Sequence, residues 1–191
     1  MNRLGNDHDD SFLIQATLDG KHEAFGHLVE RYQDRLYGSL IHVLGCEAEA
    51  LDIAQDAFVQ AFRRLDSFRG QSAFYTWLFR IGRNLAISRL RRRKPTASLH
   101  NHDGEAIDIA DQSTAPAGGI ESEETIGQLH IALQRLSEEH RTIIVLRELN
   151  EMDYDAIADV LEIPVGTVRS RLHRARQQLK QELEAIGATP N

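Results

Sequence analysis

The chain has a single cysteine, Cys46, among 191 residues. One thiol excludes an intrachain disulfide and any zinc site built on several cysteines, and it fits a reducing, cytoplasmic setting. Beside Val43 and Leu44 it reads as a small buried or half-buried residue. Long hydrophobic runs are also absent. The longest wholly aliphatic stretch is Ile143 to Leu146, far short of the roughly 20 residues a membrane helix needs. Met1 to Asp10 is polar and acidic, with no apolar segment, so it does not read as a secretory signal. No stretch alternates convincingly with period two, so no sheet is expected. There is no Gly-rich phosphate loop, no G-x-S-x-G and no Cys/His pair. The nine histidines show no ligand spacing with carboxylates or with Cys46. The expectation is therefore no catalytic residue, no metal or other cofactor, and no small-molecule substrate.

An excess of positive charge is missing too, since the formal net charge is −7. On its own this argues against nucleic acid, but the distribution reverses the argument. Arg80 to Lys94 holds seven basic residues and no acid, and Gly166 to Lys180 holds five and no acid. Two basic patches on an otherwise acidic chain suit two phosphate-facing surfaces. The acidic remainder would limit indiscriminate DNA binding and could serve protein partners.

What is present is helical periodicity, and 41% hydrophobic content is enough for a packed core. Residues 9–19 read as a short helix with Phe12, Leu13, Ala16 and Leu18 as its apolar members, ended by Gly20. Residues 22–44 read as a long one with Phe25, Leu28, Val29, Tyr32, Leu36, Leu40 and Val43 on one side, stopped by Gly45. Residues 47–65 carry Leu51, Ala54, Ala57, Phe58, Ala61, Phe62 and Leu65 as a stripe. Asp66 to Ser72 is a loop by composition, and Ser72 is a plausible cap for a helix over 73–92. That helix would bury Phe74, Trp77, Leu78, Ile81 and Leu85.

Residues 95–120 change character. They hold prolines, glycines and four acids with no Lys or Arg, and they read as an extended, mobile linker. An unstructured stretch of this length inside one compact domain is unusual, so the chain divides here. The expected organisation is all-α: two small helical domains, 1–94 and 121–191, joined by a flexible acidic linker, 95–120.

The second half is helical again. Residues 121–136 carry Ile126, Leu129, Leu133 and Leu136. Ser137 suits the cap of a helix running through Leu149, and Asp153 the cap of a short helix over 154–161. The turn Glu162-Ile163-Pro164 leads into a last helix, whose entrance suits Pro164. Val165, Val168, Leu172, Ala175 and Leu179 form its buried stripe, and the other positions include Thr167, Arg169, Ser170, Arg171, His173 and Arg174. Short helix, tight turn and basic helix make a helix-turn-helix, whose second helix can enter a DNA major groove. A lone basic helix is more often a solvated face, and the helix before this one shifts that balance.

Two further surfaces stand out. Around the loop before the fourth helix lie Phe68, Arg69, Phe74, Tyr75 and Trp77, followed by Arg80, Arg83 and Asn84. Cations that track a backbone, aromatics that stack on bases and an Asn that bonds a base edge suit a single-strand site. By helical phase Phe74 and Trp77 are core, which leaves Tyr75, Thr76 and the loop for base contact. On the third helix Asp52, Gln55, Asp56, Val59, Gln60 and Arg63 form a stripe away from the core. That stripe is either a solvated face or a docking surface for a protein.

Taken together these runs resemble a known family. Leu65-Asp66-Ser67-Phe68-Arg69-Gly70-Gln71-Ser72-Ala73-Phe74-Tyr75-Thr76-Trp77-Leu78-Phe79-Arg80-Ile81 resembles the promoter-melting region of bacterial extracytoplasmic-function sigma factors. Pro164-Val165-Gly166-Thr167-Val168-Arg169-Ser170-Arg171-Leu172 resembles their recognition helix, and Asp52-Ile53-Ala54-Gln55-Asp56-Ala57-Phe58 their polymerase-binding helix. The resemblance spans about residues 10–185, in the family's order. It implies that Asp52, Gln55 and Asp56 dock on core RNA polymerase, whose β′ clamp and β subunits are the expected partners, with Phe58 packed inward. It implies that Phe68, Arg69, Ser72, Tyr75 and Asn84 capture −10 bases, with Arg80 and Arg83 on the phosphates. It implies that Thr167, Arg169, Ser170, Arg171, His173 and Arg174 serve −35 recognition, that the linker threads the polymerase, and that an anti-sigma factor is a partner. Glu162 stands where the family commonly has Gly, which costs stability if that residue needs a positive φ. The rivals are a conventional helix-turn-helix regulator, which leaves the 68–94 cluster unexplained, an RNA-binding adaptor, and a decoy, which the base-reading surfaces oppose.

Overall fold

The computed structural model describes residues 3–93 and 120–187. The expected linker, 95–119, lies outside the described residues. Those that are described form eight α-helices and no strand: α1 (Arg3–Leu18), α2 (Glu23–Leu44), α3 (Glu47–Arg63), α4 (Phe74–Arg93), α5 (Ile120–Arg135), α6 (Glu138–Ile144), α7 (Tyr154–Leu161) and α8 (Val165–Ala185).

α2 is the axis of the first half. Leu28, Leu36 and Leu40 recur along one side at helical spacing and are fully buried, each stabilising by roughly 1.5–3 kcal/mol. α1, α3 and α4 all pack on α2, and α3 packs on α4. The inner face of α3 is Ala50, Ala54, Ala57 and Ala61 with Ile53 and Phe58, and small side chains there let neighbouring helices come close. Phe58 is buried as expected. Gly45 ends α2 with φ 73°, and its N–H donates to the Ile41 carbonyl at 2.8 Å. A side chain at Gly45 would also collide with Gln134 of α5. α1 begins at Arg3, six residues ahead of the expected start, and is tied to α2 where Asp10 accepts from Arg31 and Tyr32. Phe12, Leu18, Leu51 and Phe62, expected on buried stripes, are exposed. They lie at the margins of those stripes, beyond the reach of the neighbouring helices.

In the second half Ser137 caps α6 by accepting from the His140 N–H, and Asp153 caps α7 by accepting from the Ala156 N–H at 2.8 Å. The helix expected to run unbroken to Leu149 is α-helical only to Ile144 and then widens into a π turn, Val145–Leu149. Asn150 closes that turn by donating its N–H to the Val145 carbonyl, five residues back, at 3.0 Å. Glu162 ends α7 with φ 56°, the positive φ its position demands. Pro164 precedes the first residue of α8. α7 and α8 pack as the helix-turn-helix, with Val168, Leu172 and Ala175 buried.

The two halves do not stand apart. α4 packs on α7, and α2 packs on α5, α6 and the π turn. Their buried side chains form one continuous apolar cluster, from Leu13 through Ala175.

Candidate nucleic-acid interface

α8 presents two sides. Val168, Leu172 and Ala175 face the core, while Arg169, Ser170, His173 and Arg174 are exposed. Ser170 donates to the Thr167 carbonyl at 3.1 Å and Arg174 Nε to the Ser170 carbonyl at 3.3 Å, so both side chains lie along the outer helix. The Arg169 guanidinium sits 5.9 Å from the centre of the Tyr154 ring at the start of α7. Thr167 and Arg171 differ from the rest, being half-buried. Arg171 turns toward α6 and pairs with Glu139 at 3.1 Å. The structure thus brings four of the six expected residues onto one outer surface and sets Arg171 against its own scaffold.

The aromatic loop is partly folded onto α4. Phe68 is half-buried against Phe74 and Trp77, with ring centroids at 5.8 and 5.3 Å. Phe74 and Trp77 are buried, as their helical phase requires. Arg69 is exposed next to Gly70, whose φ is 67°. α4 begins at Phe74, so Ala73 rather than Ser72 precedes it, and Ser72 sits half-buried in the loop. Arg80 and Arg83 are half-buried and Asn84 is exposed.

Tyr75 and Thr76, expected to be open to a base, are both buried. The cause is the second half of the chain. The Tyr75 hydroxyl donates to Asn150 Oδ1 at 2.8 Å and lies 3.0 Å from Ser39 Oγ. The Arg35 guanidinium carbon lies 4.0 Å over the Tyr75 ring. Burial pushes the phenol up to about 12, against the opposing pull of Ser39 and Arg35.

On α3, Asp52, Gln55 and Asp56 share one exposed face with Val59. Arg89 of α4 bridges the two acids, with Nη1 3.1 Å from Asp52 and Nη2 3.1 Å from Asp56. Sequence reasoning placed Arg89 only within a basic run, because spacing within α4 does not say which neighbouring helix it meets. Asn150 and Arg35 carried no sequence signal. Among the described residues no group of three or more His, Cys, Asp or Glu could hold a metal ion, and no helix is long and apolar enough to cross a membrane.

This pairing of a helical half and a helix-turn-helix half has known counterparts. Residues 28–96 match the family model for Sigma-70 region 2, and residues 126–179 match that for Sigma-70, region 4. The RNA polymerase sigma-H factor of Pseudomonas aeruginosa is 37% identical over 183 residues, covering 93% of this chain and 95% of that protein. The ECF RNA polymerase sigma factor SigW of Bacillus subtilis is 35% identical over 179 residues, covering 91% of this chain and 96% of that protein. Among solved structures, CnrH in complex with the cytosolic domain of CnrY superposes with a TM-score of 0.69 at 28% identity, covering 93% of this chain and 98% of that one. The chain belongs to the sigma-70 family, in its extracytoplasmic-function branch.

Proposed function

We propose that the protein binds core RNA polymerase, directs it to promoters and melts their −10 region. The observation that carries this reading is the presence, on one chain with both family regions, of an exposed acidic face on α3, a cationic aromatic loop leading into α4, and the outward basic side of α8. Residues 1–94 would bind polymerase and the −10 element, 121–191 would read the −35 element, and 95–120 would connect them. Asp52, Gln55 and Asp56 are the polymerase-docking residues. Phe68, Arg69, Ser72, Tyr75 and Asn84 hold bases displaced from the non-template strand, and Arg80 and Arg83 hold its phosphates. Arg169, Ser170, His173 and Arg174 enter the major groove, with Thr167 and Arg171 at their base. The protein has no reaction of its own, works in the cytoplasm with the polymerase, and is restrained by an anti-sigma factor.

Run-off transcription with purified core polymerase, on DNA from upstream of the protein's own gene, tests the proposal. Wild type should give a transcript. Asn84→Ala should fail on duplex and recover on a template with a pre-melted −10 bubble, and Arg169→Ala/Arg174→Ala should fail on both. Tight sequence-specific duplex binding by the protein alone, with no affinity for core polymerase, would make it a conventional helix-turn-helix regulator.

A further inference from the structure

The Tyr75 face of α4 is covered by the chain itself. Asn150 lies at the end of the π turn and is buried. Its Oδ1 accepts from Tyr75 at 2.8 Å, from Ser39 at 3.0 Å and from Arg35 Nε at 3.3 Å, all in the first half. Its backbone carbonyl accepts from Arg35 Nη2 at 2.7 Å, and its Nδ2 donates within the second half to the Val145 carbonyl at 3.3 Å. One amide thus gathers four bonds from α2 and α4. Nearby, Arg83 Nη1 donates to the Val160 carbonyl at 3.4 Å, in the last turn of α7, where a cation is favoured by the helix dipole.

Beside this contact lies a cleft of about 430 Å³. Gln71, Ser72 and Thr76 stand on one side of it. Asp153, Asp155 and Asp159 of the second half stand on the other. Those three carboxylates carry the same sign as a DNA phosphate, so an incoming strand meets repulsion at the place where the loop would receive a base.

We propose that α7 and Asn150 form an intramolecular cover over the promoter-melting face, seated by the Arg35–Tyr75–Ser39–Asn150 bonds, and that core polymerase binds the molecule from which this cover has swung away. This deepens the function proposed above and rests on it. The chemistry of the contact suits a reversible device. Every group that Asn150 bonds is polar and takes water when the halves part, so opening leaves no polar atom unsatisfied. The seam around it also contains apolar contact between α2 and the π turn, which keeps the closed form populated in the free protein. Polymerase affinity is then reduced by the fraction of molecules that are open, and loosening the cover raises it.

The experiment uses the full chain in a Cys46→Ser background, with spin labels at Glu30→Cys on α2 and Gln177→Cys on α8, both exposed positions. Asn150→Ala removes the amide. Arg35→Ala removes an exposed side chain of the same contact and guards against a folding defect in the first variant; circular dichroism confirms the helical content of each. The free wild type should show one short distance. Both variants should add a longer, broader population and bind core polymerase on the order of tenfold more tightly. An unchanged distance distribution in both folded variants overturns the cover. So does an opened distribution with no gain in affinity when wild type binds core. If no form binds core polymerase, the functional proposal fails and this inference falls with it; an opened distribution then shows only that Asn150 joins the halves.

Discussion

His42 and His130 meet across the seam between the two halves, with ring centroids 5.8 Å apart. His42 belongs to α2 and His130 to α5; Arg141 and Glu138 of α6 and Glu47 of α3 are the charged groups around them. Burial, and then the neighbouring His130, hold the His42 imidazole below its ordinary value. Burial and then Arg141 do the same for His130, with Glu47 opposing. Burial also lowers Arg141, against Glu138. His42 Nδ1 and Arg141 Nε have no hydrogen-bond partner among the described residues.

The sign of the pH dependence follows. Well above the ordinary histidine value of 6.5 both rings are neutral, packed or unpacked, and the seam has its full stability. As pH falls through 6.5 the unpacked chain takes up protons that the packed one resists, so the packed form loses stability. Thermal unfolding of wild type should shift down between about pH 7 and pH 5, and His42→Gln/His130→Gln should flatten that dependence. An identical slope in the double variant would remove these residues from the account.

Arg89, Asp52 and Asp56 separate stability from docking. All three are substantially exposed, so Arg89→Ala should change unfolding free energy in urea by less than about 1 kcal/mol. Asp52→Asn/Asp56→Asn should be equally mild for folding, yet weaken core polymerase binding on the order of tenfold, mainly through a slower on-rate at low salt. Equal core affinity in that double variant would move the docking surface elsewhere.

The basic residues of α8 divide the same way. Arg174→Ala and Arg169→Ala should lower transcription and relax discrimination at −35 base pairs, by about 1–3 kcal/mol for a residue bonded to a base edge. Arg171→Ala should leave the preferred −35 sequence unchanged and instead weaken the attachment of α8 to α6 through the lost Glu139 pair. Templates with each −35 base pair altered in turn would reveal which variant has lost base discrimination.

Glu162 holds a left-handed backbone, with φ 56°. A side chain there costs on the order of 1 kcal/mol, part of which glycine gives back through unfolded-state entropy. Glu162→Gly should stabilise the protein by about 0.5 kcal/mol without altering promoter preference. Chemical denaturation checks the first expectation and run-off transcription the second.

The reach of sequence reasoning is clearest on α8 and α4. The buried side of α8 follows from spacing alone, because one local stripe meets one local scaffold. Asp153, Ser137, Glu162 and Pro164 were legible for the same reason, since caps and turns are set by a few adjacent residues. On α4 the stripe through Phe74 and Trp77 was also readable. The burial of Tyr75 was not, because the atom that covers it belongs to Asn150, 75 positions away. Periodicity reports how many faces of a helix are apolar, and Tyr75 meets its partner through a hydroxyl. α1 was read short because its first turns carry no apolar rhythm, and Arg89 was assigned a charge but no partner.

The π turn at Val145–Leu149 has a consequence for how this fold tolerates change in length. Such a turn holds one residue more than the α-helix it interrupts. Deleting a single residue there would let the helix rewind and rotate everything after it by about 100° relative to α6. Asn150 would then point away from Tyr75, while α7 and α8 kept their own internal packing. The arrangement of the two halves is therefore encoded by a count of residues as well as by their kinds. One codon gained or lost in this turn would redirect the joint between them and leave each half intact.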